Sequence, residues 1–257
     1  MQNSVAASCG RASRACAAPG GAWREMAARV RVGVVAAAAA GSLVFGCSAE
    51  RRPGPLPPVS FVKAVDALAL SDALEALIAE GHDTPADREA AYEAIARFAD
   101  RDAASYFARA AITGRLVQQR GLRFANLVED VESSARKSVE LDPDFRDGAA
   151  KRLLGTLYVI APAALLKHGN SETGLRMLEE LAEQHPDIVE NHLRLAEAYI
   201  SLGDPAPACP HLRRCVAEIS SLRPDEQGLL TQLLSDVRPQ ACCPVADAES
   251  WRPRKRN

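Results

Sequence analysis

Cysteine and histidine offer this chain most of its chemistry, and their spacing decides what kind. Of seven cysteines, four stand towards the C-terminus: Cys209, Cys215, Cys242 and Cys243. Cys-x5-Cys followed by an adjacent pair is poor spacing for tetrahedral zinc. An even set in an oxidising compartment reads instead as disulfides. Cys209 and Cys215 are expected to bond with Cys242 and Cys243, in an order that sequence leaves open. The five histidines, His82, His168, His185, His192 and His211, are scattered, and Pro186 separates the helices of His185 and His192. Each reads as a satisfied or exposed side chain. Paired carboxylates such as Glu179 and Glu180 fall on a solvated helix face. The sequence holds no G-x-S-x-G, P-loop or H-E-x-x-H pattern. The expectation is a non-enzymatic protein with no catalytic residues, no metal and no cofactor.

Cys47 belongs to a different chemistry. The run "VGVVAAAAAGSLVFG", Val32 to Gly46, has 15 residues without a charge. A bilayer takes about 20 apolar residues, so the run is too short to span one. Arg29 and Arg31 precede it, as an export signal requires. The stretch resembles a bacterial lipoprotein signal: aliphatic Val44 at minus three, small Gly46 at minus one, then a cysteine whose thiol receives a diacylglycerol. Residues 1–46 are therefore expected to be a signal peptide and Cys47 the lipidated anchor to the membrane. Residues 1–25 add nothing to such a signal, and Met26 would open one of ordinary length. Ser48, rather than Asp, follows the cysteine and points to the outer membrane.

Without residues 1–46 the chain carries 26 basic and 32 acidic residues, a net charge of about −6. That argues against an extended nucleic-acid surface. The basic end "RPRKRN" reads as a solvated terminus. Alanine and leucine dominate, and aromatics are only 5%, which favours helices over sheets.

The elements that must position these residues follow from the same pattern. "SAERRPGPLPP" has four prolines, so residues 47–58 read as a stiff tether behind the lipid. Residues 59–237 show one helical pattern after another. The first helix is expected over Val59 to Glu80, ended by Gly81. Thr84 caps the next, with Pro85 at its first position and Asp87 in its first turn. Further helices follow over Ala103–Gln119 and Phe124–Leu141. No segment sustains strand alternation, so the domain is expected to be all-α. Residues 238–257 form a cysteine-containing basic tail.

The second half carries a repeat. Leu154, Gly155 and Tyr158, then Leu178 and Pro186, answer to Leu195, Ala196 and Tyr199, then Ala208, Leu212 and Cys215. Both follow the tetratricopeptide order, in which a small residue lets helix A approach helix B closely. Ala196 to Ala208 spans twelve residues, as the 34-residue repeat requires, but Gly155 to Gly174 spans 19. The excess lies in "VIAPAALLKHGN", where Pro162 is expected to break helix A near Ile160. One reading packs this insertion on its own domain. The other makes it a ligand or partner surface, with Pro162, Leu165 and Leu166 beside Tyr158 and Asn191 from adjacent A helices. The expected architecture is a tetratricopeptide-like array of helical hairpins, an α-solenoid.

Together "LGTLYVIAP", a glycine, a helix ending in proline and "NHLRLAEAY" resemble the T component of TRAP transporters. Gly155, Tyr158, Ala161, Pro162, Gly169, Asn191, Leu195 and Ala196 carry the likeness, which spans about residues 60–237. The resemblance implies a periplasmic lipoprotein built from helical hairpins. It further implies docking to the substrate-binding protein of the transporter and passage of a small ligand, and it leaves a homo-oligomer open. A general outer-membrane tetratricopeptide lipoprotein for envelope or secretion-complex assembly is the second reading. A carrier for a small apolar ligand is the third.

Overall fold

Ten α-helices follow one another between Val59 and Val237, and no strand occurs among the described residues. The computed structural model describes residues 57–237. The expectations for the leader, Cys47, most of the tether, and the tail with Cys242 and Cys243 lie outside these residues.

The helices are α1 (Val59–Lys63), α2 (Ala67–Ala79), α3 (Pro85–Ile95), α4 (Ala103–Arg120), α5 (Ala125–Leu141), α6 (Ala149–Ile160), α7 (Ser171–Gln184), α8 (Val189–Ser201), α9 (Ala208–Ala217) and α10 (Pro224–Val237). A 3₁₀ turn, Ala163–Leu165, lies between α6 and α7. The expected first helix is in fact two. Asp66 turns extended and its side chain accepts the Ala69 N–H at 2.7 Å, so α2 starts afresh after α1. The second boundary follows expectation. Thr84 and Asp87 form a reciprocal capping box, with Pro85 in the first turn. Gly81, at φ +69°, takes the left-handed turn after α2.

Consecutive helices pack as hairpins, α4 on α5, α6 on α7 and α8 on α9, and α10 caps the last pair. The core runs along the array as successive clusters. Phe61, Leu70, Leu74, Ile95 and Ile112 fill the first. Leu116, Val128, Val131 and Leu157 fill the middle. Leu193, Leu212, Cys215, Leu230 and Leu234 fill the last. This is the all-α, tetratricopeptide-like array the repeat implied.

The small residues do what the repeat requires of them. A methyl group at Gly174 would lie 2.6 Å from the Gly155 carbonyl oxygen and 2.7 Å from Tyr158 Cβ. One at Gly155 would lie 3.0 Å from Leu178 Cγ. Helices α6 and α7 therefore meet backbone to backbone at two glycines.

Helix α6 ends at Ile160, two residues before Pro162, as a proline stop predicts. The insertion then folds onto its own domain. Leu165 and Leu166 are half-buried and pack against the middle cluster between α4, α5 and α6. Glu132, on α5 and only 1% exposed, pins the backbone behind them. Its carboxylate accepts the Lys167 N–H at 2.9 Å and the His168 N–H at 2.8 Å.

Candidate functional site

The even-numbered helices α2, α4, α6, α8 and α10 supply nearly all the walls of one cleft of about 770 Å³. In a hairpin solenoid the first helix of each pair lines the inner face, and this array obeys that rule. The volume is that of a small-molecule site.

One wall is apolar. Val117, Val131 and Leu157 belong to the middle core cluster, with Leu122 and Leu153 packed against it, and all five also face the cleft. Helix α6 presents Ala149, Leu153, Thr156, Leu157 and Ile160 to this side. The lining stops at Ile160, before the insertion.

The other wall is ionic. Arg115 makes a two-pronged pair with Glu75, Nε at 2.7 Å and Nη2 at 2.5 Å, and reaches Asp225 at 3.2 Å. Arg223 donates to the same Glu75 at 2.7 Å and to Glu226 at 3.2 Å. This cluster joins α2 and α4, near the start of the array, to the start of α10 at its end. Burial works against the charge of Arg115, but the hydrogen bonds and field of Glu75, with Asp225, outweigh it and raise its pKa. Arg194 pairs with Glu197 at 2.9 Å, and Arg146 grips Asp72 through two bonds of 2.7 Å. Arg146 does so from a left-handed backbone, φ +50°, followed by Asp147 at +55° and Gly148 at +73°. Such a run is strained for the two L residues and aims the turn between α5 and α6 at α2.

Arg152 is different. Its guanidinium donates from Nη1 to Asn191 Oδ1 at 2.7 Å, and it makes no ion pair with any described residue. Burial pushes its pKa down, while Glu190 and Glu226 oppose that from a distance. Glu190 also lines the cleft and makes no ion pair among the described residues. Arginine keeps its charge even so.

The residues singled out from sequence divide sharply here. Tyr158 is 3% exposed and Asn191 is 0% exposed, so neither presents the ligand or partner surface expected of it. Asn191 is a buried clasp instead. Its Nδ2 donates to the Leu181 and His185 carbonyls at 3.4 and 3.2 Å, capping the end of α7, while its oxygen holds Arg152. Tyr158 packs under Gly169, where any Cβ would strike its ring at 2.2 Å. Burial, then the charge and hydrogen bond of Glu132, raise the pKa of its hydroxyl. Pro162 is exposed, but Leu165 and Leu166 serve the core. Ala163 and Ala164 stay exposed, while Leu165 and Leu166 find partial burial against α4, α5 and α6.

The cysteines need one correction. Cys209 is in a disulfide, but Cys215 keeps a free thiol, buried among the last core cluster, where burial pushes its pKa up to about 12. Cys215 stands where the repeat wants a large apolar residue, and it packs as one.

Two histidines that looked scattered are in contact. His192 and His211 stack with ring centroids 5.2 Å apart and their Nδ1 atoms at 2.9 Å. His192 Nε2 lies 2.8 Å from the Pro186 carbonyl and must donate to it, which in the neutral tautomer leaves Nδ1 to accept from His211. Tyr199 stacks on the far side of His211 and donates its hydroxyl to Glu179 at 2.6 Å. Helices α8 and α9 bring the pair together across 19 positions, a distance that no short motif reports.

Arg152, Glu190 and the Glu75 cluster were missed from sequence. A signal existed for the first. Helix α6 has two apolar faces, Leu154–Tyr158 towards α4, α5 and α7 and Leu153–Leu157–Ile160 on the cleft side, and Arg152 is the charge beside the second. Among the described residues no set of three or more His, Cys, Asp or Glu side chains could hold a metal ion, and no helix is long and apolar enough to cross a membrane. No protein-family model matches the chain, and no curated protein matches it.

Proposed function

We propose that the protein is a non-enzymatic periplasmic lipoprotein, anchored through Cys47 and sited, as Ser48 indicates, at the outer membrane, that docks the substrate-binding protein of a TRAP-type transporter and passes it a small ligand. The observation that carries the ligand-passing part is the cleft: about 770 Å³, half apolar and half ionic, enclosed by the inner helices of a hairpin array. The export signal ending at Cys47 supports the anchor. The resemblance of "LGTLYVIAP" and "NHLRLAEAY" to the T component supports the partner. A general envelope-assembly lipoprotein is the second reading, favoured by the same lipoprotein signal and hairpin array.

The test is an affinity capture of the chain from detergent-solubilised envelopes with the captured proteins identified by mass. A periplasmic substrate-binding protein as the main partner is expected. Capture of envelope-assembly proteins alone would replace the first reading with the second. Cys47→Ala should shift the chain from the membrane to the soluble fraction. Retention on membranes after a high-salt wash would end the anchor proposal.

A further inference from the structure

Every arginine facing the cleft except one has its carboxylate: Arg115 and Arg223 share Glu75, Arg146 holds Asp72, and Arg194 holds Glu197. Among the described residues Arg152 has only the neutral oxygen of Asn191. Arg152 is half-buried, and the donors that Asn191 leaves free open on the cleft, where an arriving carboxylate can take them. The Asn191 clasp fixes the position of this group, because Asn191 is itself tied to the end of α7 by two carbonyls. From Arg152 the same side of α6 continues as Leu153, Leu157 and Ile160, an apolar strip about 10 Å long at 1.5 Å per residue. Val117 and Val131 flank it.

The geometry points to a ligand with a single anionic head, a carboxylate in the simplest case, on an elongated apolar body. The head pairs with Arg152 and the body lies along α6. The planar fork of arginine matches a carboxylate through two donors. The cleft lining has as many acidic as basic side chains, so the selection is local and does not come from a broad positive field. Glu190, on the first turn of α8, is the internal competitor: it lacks an ion pair and acts on Arg152 from beyond 4 Å. This inference rests on the ligand-passing part of the proposed function.

Calorimetric titration of the Cys47→Ala chain, purified without detergent, with decanoate and with decanol tests it. The two probes share their tail and differ in charge. Decanoate should bind about tenfold tighter or better. Arg152→Gln should remove that difference and leave decanol binding unchanged, with helical circular dichroism and the melting curve recorded on the same sample. Glu190→Gln should tighten decanoate and not decanol, a gain that misfolding cannot imitate. Equal binding of the two probes to the parent chain would overturn the anionic head and leave the cleft as an apolar carrier site. Succinate competing as well as decanoate would overturn the apolar body. Binding of neither probe would defeat both this inference and the ligand-passing reading, while the docking reading would still stand or fall on the envelope capture.

Discussion

Glu132 shows how much a single buried side chain decides. It accepts two backbone N–H groups from a segment 35 and 36 positions away and leaves the insertion no freedom to act as a loose flap. Glu132→Ala strands both donors, and a loss of about 3 kcal/mol in urea unfolding is expected. A loss under 0.5 kcal/mol would mean that the leucines alone hold the segment. Leu165→Asp and Leu166→Asp should likewise lower stability by several kcal/mol, because both side chains pack on the core. The histidine pair makes a prediction with a sign. Burial, then the neighbouring His192, lower the pKa of His211, with Glu179 opposing. The unfolded chain therefore binds the proton first, and stability, undiminished above the ordinary histidine value of about 6.5, is lost as pH falls below it. Melting curves at pH 7.5, 6.5 and 5.5 should show this decline, and His211→Gln should flatten it. Identical slopes for parent and variant would remove His211 as the cause. The Glu132 and histidine contacts were not legible in the sequence, whereas packing of the insertion on its own domain was one of the two readings it offered. Both join residues far apart in the chain, and an isolated Glu or His carries no mark of the partner that folding will bring.

At the scale of the element much more could be read, because helix boundaries are written locally. Thr84, Pro85 and Asp87 announce a start, Gly81 a left-handed stop, and Pro162 a break, and the structure has all three. The start of α2 escaped, since no Gly or Pro marks Ala64–Asp66 and only the cap of Asp66 divides the helices. The repeat was legible through its glycines, whose role is a contact distance. Gly174→Ala should cost about 2–3 kcal/mol, because the new methyl meets a backbone oxygen that cannot move aside. Gly228→Ala on α10 meets nothing within 4 Å and should raise stability by about 0.5–1 kcal/mol. Chemical denaturation of the two variants side by side checks the contrast. The same sign for both would undo the close-approach account of α6 and α7.

Across the whole molecule, the surplus residues of the insertion were visible but their destination was not. Burial needed a partner surface on α5, which lies earlier in the chain than the residues it receives. The same holds for the cysteines. Their number suggested two bridges, yet Cys215 is filled into the core as an apolar residue while Cys209 is bonded. Non-reducing peptide mapping should find Cys215 unreactive in the native protein and alkylated after unfolding. A disulfide at Cys215 would overturn its place as a core thiol. The ionic cluster of Glu75, Arg115, Arg223 and Asp225 has the widest reach. Arg223 and Glu75 are 148 positions apart. An ordinary hairpin array gains stability from neighbours only, so it frays from its ends and folds from any point outward. Here α10, the last helix among the described residues, is fastened to α2, so this array is not held by neighbours alone. Closing so long a loop is an entropic cost met late, which belongs to slow steps of folding. Glu75→Gln should therefore speed amide exchange in α2 and α10 together and leave α6 and α7 protected. In kinetic terms the described array is a buckled belt, expected to open at the buckle or all at once.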